Sequence, residues 1–421
     1  MIKNQKGAIT LLVSSFILMA SLIFSLGSYK HIFYQIKRAQ NEVEARKGYW
    51  AAEGGVECAF TKVSTIGAVP STPIPECASL DLTDLQITQG MNYQIKADKL
   101  SQIVKKDFTI GGSGGDGAIQ SASNLYFYSS ITFTSPDPVK LGTDGWECVA
   151  VRYKDKIGAF GSVNNAGVNH SVKPSSDFDN QGKDCSPEHK TNSAAGSSNF
   201  KSDFLRDDKI SPFKDLFGIE PSDHNTIRDN GKFDILYGSG SGGDKRLSEC
   251  GTKLKNRINA GEEYIWVEGS CEITSAQYEG FSEVMNNSLN GAFIVIHDGS
   301  LSIMGAPPGT TAKDMKGVIF HFNHDYSVPT DGSNWYGTDA YSKLYPHGGT
   351  PSSLYPSEFL TTASFYQHGA FTLLGGQFFD TKDQSAIFYT SSNFKYNSDI
   401  VNKLVSGLVQ PRWVKGSWHD F

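Results

Sequence analysis

The stretch Ala8–Tyr29, AITLLVSSFILMASLIFSLGSY, runs for twenty-two residues without a charge, with Lys3 and Lys6 before it and Lys30, Lys37 and Arg38 after it. At about 1.5 Å of rise per residue, a helix of this length reaches roughly 33 Å, enough to cross a hydrocarbon core about 30 Å thick. The run is longer than the apolar core of a secretory signal, and no small-x-small cleavage site closes its far end. The small residue lies in front of it, at Gly7. Residues 9–29 are therefore expected to span a membrane, and the rest of the chain has to be organised around a retained apolar helix.

No proline interrupts the sequence from Lys30 to Phe60, and Arg38, Glu42, Glu44, Arg46 and Lys47 place charges at helical spacings. One long helix, apolar first and amphipathic later, is expected to end near Ile66, where Gly67, Pro70, Pro73 and Pro75 follow.

A short basic leader, Gly7, and then an apolar helix that stays attached resemble a type IV prepilin. The segment YWAAEGGVECAF, Tyr49–Phe60, resembles the close of the N-terminal region in PilX-type minor pilins and in the K-type minor pseudopilins of type II secretion. The resemblance implies cleavage after Gly7 by a prepilin peptidase, methylation of Ala8, residence in the inner membrane with the head in the periplasm, and later a place at the pilus tip. It implies partners as well: the major pilin, other minor pilins and an inner-membrane assembly platform. Pilins ordinarily carry a glutamate where this chain has Leu12, and its carboxylate neutralises the amino terminus of a neighbouring subunit. A buried unpaired amine is costly, so a subunit with leucine there docks poorly beneath another. A subunit at the tip has no neighbour ahead of it to neutralise, and the PilX and K-type families are similar in lacking this glutamate.

The remainder is long enough for a large domain or two ordinary ones. The chain as a whole has 43 glycines, 12% aromatic and 19% charged residues, so turns and strands are expected beyond the helix, and the net charge of −6 opposes broad binding of phosphate backbones. Six cysteines, Cys58, Cys77, Cys148, Cys185, Cys250 and Cys271, all follow the apolar run, where disulfides persist if the basic leader stays inside. Sequential pairing is the simplest connectivity. Zinc is the competing reading, although the spacings are wide for a finger or ribbon.

The expected fold class is α+β, a long N-terminal helix followed by a large β-rich, β-solenoid-like head. The boundaries are a leader at 1–7, the helix at 8–66, a first β-rich part at 67–163, a polar insertion at 164–251 and a solenoid-like part at 252–421. In the first part, Asn92–Ala97, Lys106–Ile110, Ala118–Thr134, Glu147–Tyr153 and Ile157–Val163 read as strands. GGSGGDG at Gly111–Gly117 reads as a loop, because neither the Lys-Ser/Thr of a phosphate loop nor a helix follows it. The insertion is rich in Asn, Ser, Asp and Lys and offers only short helical candidates such as Asp203–Phe217. In the last part, segments starting at Tyr264, Phe293, Val318, Ser364 and Ile387 share one plan of apolar strand, polar turn and second strand, as β-solenoid turns do. A strand-rich sandwich is the rival.

HExxH and Walker sequences are absent, so no enzymatic activity is expected. Four patterns remain. His297, Asp298, His324, Asp325 and His368 fall at turns that a solenoid would align along one edge, and His321 with His324 forms a second histidine pair. Asp177, Asp179, Gln181 and Glu188, with Gly182 at the turn, have the spacing of an EF-hand-type calcium loop, against the alternative of an ordinary polar loop. Trp413 and Trp418 interleave with Arg412, Lys415 and His419, a combination that can stack on sugars or bases or complete a core. The expected role is that of a pilus-tip minor pilin, with adhesion to a surface glycan or DNA uptake as possible duties of the head. The alternatives are a K-type pseudopilin and a membrane-anchored carbohydrate-binding or carbohydrate-active protein.

Overall fold

The computed structural model describes residues 6–66, 69–89, 93–109, 117–240, 245–306, 313–346, 350–408, 411–414, 416–417 and 419–420. The glycine-rich stretch 111–116 lies outside them. The chain forms two compact units, residues 1–110 with 411–421 and residues 111–410, so the boundaries drawn from composition are not those of the fold.

In the first unit a single helix runs from Lys6 to Ile66. Its second half presents Ala52, Val56, Ala59 and Val63, all fully buried, at the three- and four-residue spacing that keeps them on one face. They pack with Ile95, Ala97, Val104 and Phe108 of an antiparallel sheet. Its strand order is Asp84–Gln89, Tyr93–Lys99, Gln102–Thr109 and Arg412–Trp413, and His419–Asp420 also pairs with Gln102–Thr109. Gly55 sets how closely the layers approach, because a Cβ there would lie 2.5 Å from Cδ1 of Leu82. The Cys58–Cys77 disulfide ties the 3-10 turn Pro75–Leu80 to the helix. Segments from the two ends of the chain thus build one sheet, with the second unit inserted between them.

The second unit is dominated by two parallel sheets that the chain visits in alternation. One carries Asp234–Tyr237, Tyr264–Glu268, Ala292–His297, Met315–Phe322 and Phe371–Asp380 as successive neighbours; the other carries Arg246–Leu247, Ser270–Ile273, Leu301–Met304, Ala363–His368 and Ser385–Tyr389. The early strands extend the same stack: Ile119–Ser121 pairs with Phe371–Asp380, and Asn124–Phe127 pairs with Ser385–Tyr389, again in parallel. Residues expected as one strand pattern, Ala118–Thr134, are three strands with corners between them. Neither sheet closes on itself. The expected mixed architecture, one long apolar helix and a large β-rich head, is what the structure shows.

The repeat is partly as expected. Tyr264, Phe293 and Val318 sit side by side in register. The segments from Ser364 and Ile387 keep the plan of strand, turn and strand but begin in the other sheet, whereas the strand that holds Val318 is followed by the helical turns Ser333–Trp335 and Asp339–Leu344. The apolar runs are continuous because the central strands are covered on both faces. Ile294, Ile296 and Phe379 belong to a core that also holds Ile303, Phe365 and Phe388 of the second sheet, whereas Phe217 and Phe233 lie against Phe293.

Those covering side chains correct the reading of residues 164–251 as an excursion outside the core. Phe204, Phe213, Leu216, Phe217, Ile227 and Phe233 are buried members of the main core. The helical candidate Asp203–Phe217 is a strand, Phe204–Arg206, followed by a helix only at Pro212–Phe217, because Pro212 sets its first turn. All six cysteines are paired sequentially, Cys148–Cys185 and Cys250–Cys271 joining Cys58–Cys77, with Cα separations of 5.5–5.9 Å.

One buried group runs against this economy. Gln377 is fully buried beside Ile319 and Ile119, and neither its Nε2 nor its Oε1 has a hydrogen-bond partner among the described residues. An unpaired buried amide costs about 1–3 kcal/mol. Gln377→Met, close to it in volume, is expected to raise the unfolding free energy by about that amount in denaturant titration.

Candidate functional site

The feature that the fold leaves unexplained by packing is the first half of the N-terminal helix. From Ile9 to Glu44 every residue is exposed, including Leu11 at 73%, Phe16 at 69% and Phe24 at 80%. A contiguous apolar surface of this size marks a membrane or a protein interface. Two of its hydroxyls are turned inward on the helix: Ser14 Oγ donates to the Leu11 carbonyl at 3.0 Å and Ser15 Oγ to the Leu12 carbonyl at 2.9 Å. Such internal satisfaction is what a helix in lipid requires. Leu12 stands on this surface at 59% exposure with no acidic side chain in the first turn. Among the described residues, this is one helix long and apolar enough to cross a membrane. The residues at the expected processing point, Gly7 and Ala8, lie at its start.

The tryptophan pattern resolves at one position. Trp413 stacks on Phe60 with centroids 3.9 Å apart and an 18° interplanar angle, and Lys106 Nζ lies 3.9 Å from the indole centroid. Two groups that close to the ring centre occupy opposite faces, so Trp413 is a packed member of the first unit and not a free stacking platform. Trp418, Lys415 and the side chains of Arg412 and His419 lie outside the described residues.

The expected histidine edge is assembled in part. Asp298 Oδ1 accepts from the amides of His324 and Asp325 at 2.8 and 3.0 Å, and His297 Nδ1 lies 2.9 Å from Glu268 Oε2. His224, not singled out in the sequence, sits with its ring 4.6 Å from that of His297 and 5.5 Å from that of His324. Burial holds His224 below the usual histidine range, and the neighbouring imidazoles add to this. Burial would raise the Glu268 carboxyl, but the hydrogen bond and charge of His297, together with Arg228, hold it below the ordinary value. His368 is elsewhere, on a strand of the other sheet, stacked on Tyr389. His321 does not join His324: it points inward, its Nε2–H donating to the Gly299 carbonyl at 2.8 Å, with burial pushing it down to about 4.

In the calcium-type loop, Gln181 and Gly182 make the turn with positive φ, and Asp179 Oδ1 accepts from the Gln181 amide at 2.9 Å. Asp177 is exposed, and Glu188 lies in the 3-10 turn Pro187–His189, so no α-helix flanks the loop as an EF-hand would require. The carboxylate that organises it is Asp184, which accepts from the amides of Val168 and Cys185 at 2.7 and 2.8 Å and pairs with Lys190. Asp184 was not among the expected ligands, and only its place beside Cys185 signals it. Among the described residues, no group of three or more His, Cys, Asp or Glu side chains is placed to hold a metal ion.

The chain matches no family model, no curated protein and no solved structure. The apolar helix is therefore the feature on which a function has to be argued.

Proposed function

We propose that the chain is a minor pilin of a type IV pilus that primes assembly and sits at or near the filament tip. The observation that carries this reading is the unbroken helix Lys6–Ile66, bare and apolar over its first half and packed on an antiparallel sheet over its second. In this reading the bare half holds the subunit in the inner membrane, head in the periplasm, until it exchanges lipid for the helices of other pilins. Leu12 supplies no carboxylate for a subunit ahead, which fits a terminal position. The disulfides fit a head matured on the oxidising side. The alternating parallel strands of the inserted unit are read as a solenoid-like winding, too bulky to recur along a shaft. No catalytic role is assigned to it.

The test is the mass of the native protein. A prepilin is expected to begin at Ala8 with a methylated amine, and Gly7→Asp is expected to keep residues 1–7 attached. A mature mass unchanged by Gly7→Asp would falsify the prepilin reading. A K-type pseudopilin shares the same anchor; recovery of the protein from sheared surface fibres, and not only from membrane and periplasm, separates the two.

A further inference from the structure

Four successive turns of the second unit meet at one corner, where strands of the shorter parallel sheet hand over to those of the longer one. Residues of the four turns form rows there. The first row is aromatic: His368, Tyr389, Tyr128 and Phe160 end or directly follow the paired strands, with His368 stacked on Tyr389 at 5.2 Å and Tyr128 on Phe160 at 4.4 Å. Two residues on, Ala370, Ser391, Ser130 and Ser162 form a second row, linked because the amides of Phe371, Ser392 and Ile131 donate to the carbonyls of Ser391, Ser130 and Ser162. Two residues further, Thr372, Asn393, Thr132 and Asn164 lie in register across four strands. Phe394, Ile131, Phe133 and Val163, alternating with the third row, are buried in the core, so that row faces away from it, with Thr132, Asn164 and Asn393 partly exposed and Thr372 buried.

A groove of about 270 Å³ lies between the second and third rows, lined by Ser130, Thr132, Phe371, Thr372, Ser391 and Asn393 among others, with no charged side chain in its lining. The side chains of Ser130, Thr132, Ser391 and Asn164 form no hydrogen bond with described parts of the protein and are at least partly exposed.

We propose that this strip binds a neutral, extended glycan. Uncharged hydroxyls and amides with free hydrogen-bonding capacity call for a ligand that brings its own hydroxyls. Phe160, 45% exposed at the end of the aromatic row, offers apolar surface to the C–H faces of sugar rings, as aromatics do at polar interfaces. An uncharged lining gives no counterpart to phosphate, nucleic acid or uronate. The rows repeat at the strand spacing of about 4.8 Å, comparable to the advance per ring in an extended chain of linked sugars. This inference does not rest on the pilus reading.

The test uses the full chain in a detergent without a sugar headgroup, titrated by calorimetry with cellohexaose, maltohexaose and chitohexaose, and with hexagalacturonate as the acidic comparison. At least one neutral hexasaccharide is expected to bind with a dissociation constant in the millimolar range or tighter, and more tightly than hexagalacturonate. Thr132→Lys combined with Asn393→Lys is expected to weaken that binding roughly tenfold or more. Phe160→Ala, at a position 45% exposed in the natural chain, is expected to weaken it several-fold. Circular dichroism and complete disulfide formation show that each variant is folded. The proposal is overturned if none of the three neutral hexasaccharides binds, if only hexagalacturonate does, or if either variant binds as tightly as the natural chain.

Discussion

Leu18→Arg and Leu22→Arg together are expected to move the protein from the detergent-extractable membrane fraction into the soluble or aggregated fraction. The two leucines are one helical turn apart, 69% and 62% exposed. They lie near the middle of the apolar run, where each arginine costs about 2.5–3.5 kcal/mol of insertion free energy. The same positions changed to alanine should leave the chain in the membrane, since the run keeps its length and stays uncharged. A second readout follows from topology. If the anchor delivers the head to the oxidising side, a chain that fails to insert keeps its cysteines reduced, so all six should become open to alkylation. Resistance of the double-arginine chain to alkaline extraction, with its disulfides formed, would remove the anchor from the account and leave the exposed leucines as a protein-docking face.

The parts of this fold that were legible in sequence are those fixed by local chemistry. A run of uncharged residues sets a helix and its length, and Gly67 with the prolines that follow coincides with its last turn at Ile66. Cysteines that each close a loop free of other cysteines paired in that order. What was not legible depends on which element covers which. Tyr264 and Ser364 head similar-looking segments, yet one starts in the longer sheet and the other in the shorter, because a strand-turn-strand pattern reads the same from either sheet. The polar composition of 164–251 hid Phe213, Phe217 and Phe233: three rings among Asn, Ser and Lys barely change an average, but they cap Phe293, Phe320 and Phe322. Trp413 was ambiguous for a similar reason. Its partners Phe60 and Lys106 are hundreds of residues away in sequence, and only the return of the chain to the first sheet brings them to its two faces. The outward polar rows at the corner were invisible, since Ser130, Asn393 and Asn164 align only once the parallel register is known.

The covering role of that polar segment predicts the consequence of truncating the largest side chain beneath it. Trp266 is fully buried, with Phe233 edge-on at 5.3 Å, His297 at 5.4 Å and Phe322 at 6.4 Å. Its indole nitrogen has no hydrogen-bond partner among the described residues, so Trp266→Ala leaves no polar group behind, and its cost is lost burial plus the cavity. For a buried tryptophan this is about 3–5 kcal/mol, read as a lower denaturation midpoint. The damage should be directional. Phe233 loses the ring it rests on, so hydrogen exchange is expected to quicken first at the amides of Phe213–Phe217 and Ile227–Phe233. The amides of Ile119–Ser121, on the far side of Phe371–Asp380 from the Trp266 strand, should hold their protection until the unit opens as a whole. Tyr237→Ala, on the adjacent strand but at a side chain 68% exposed, supplies the control and should shift stability by no more than about 0.5 kcal/mol. Equal effects of the two substitutions, or exchange that quickens evenly through the unit, would mean that residues 212–233 lie on the sheet without being held by it.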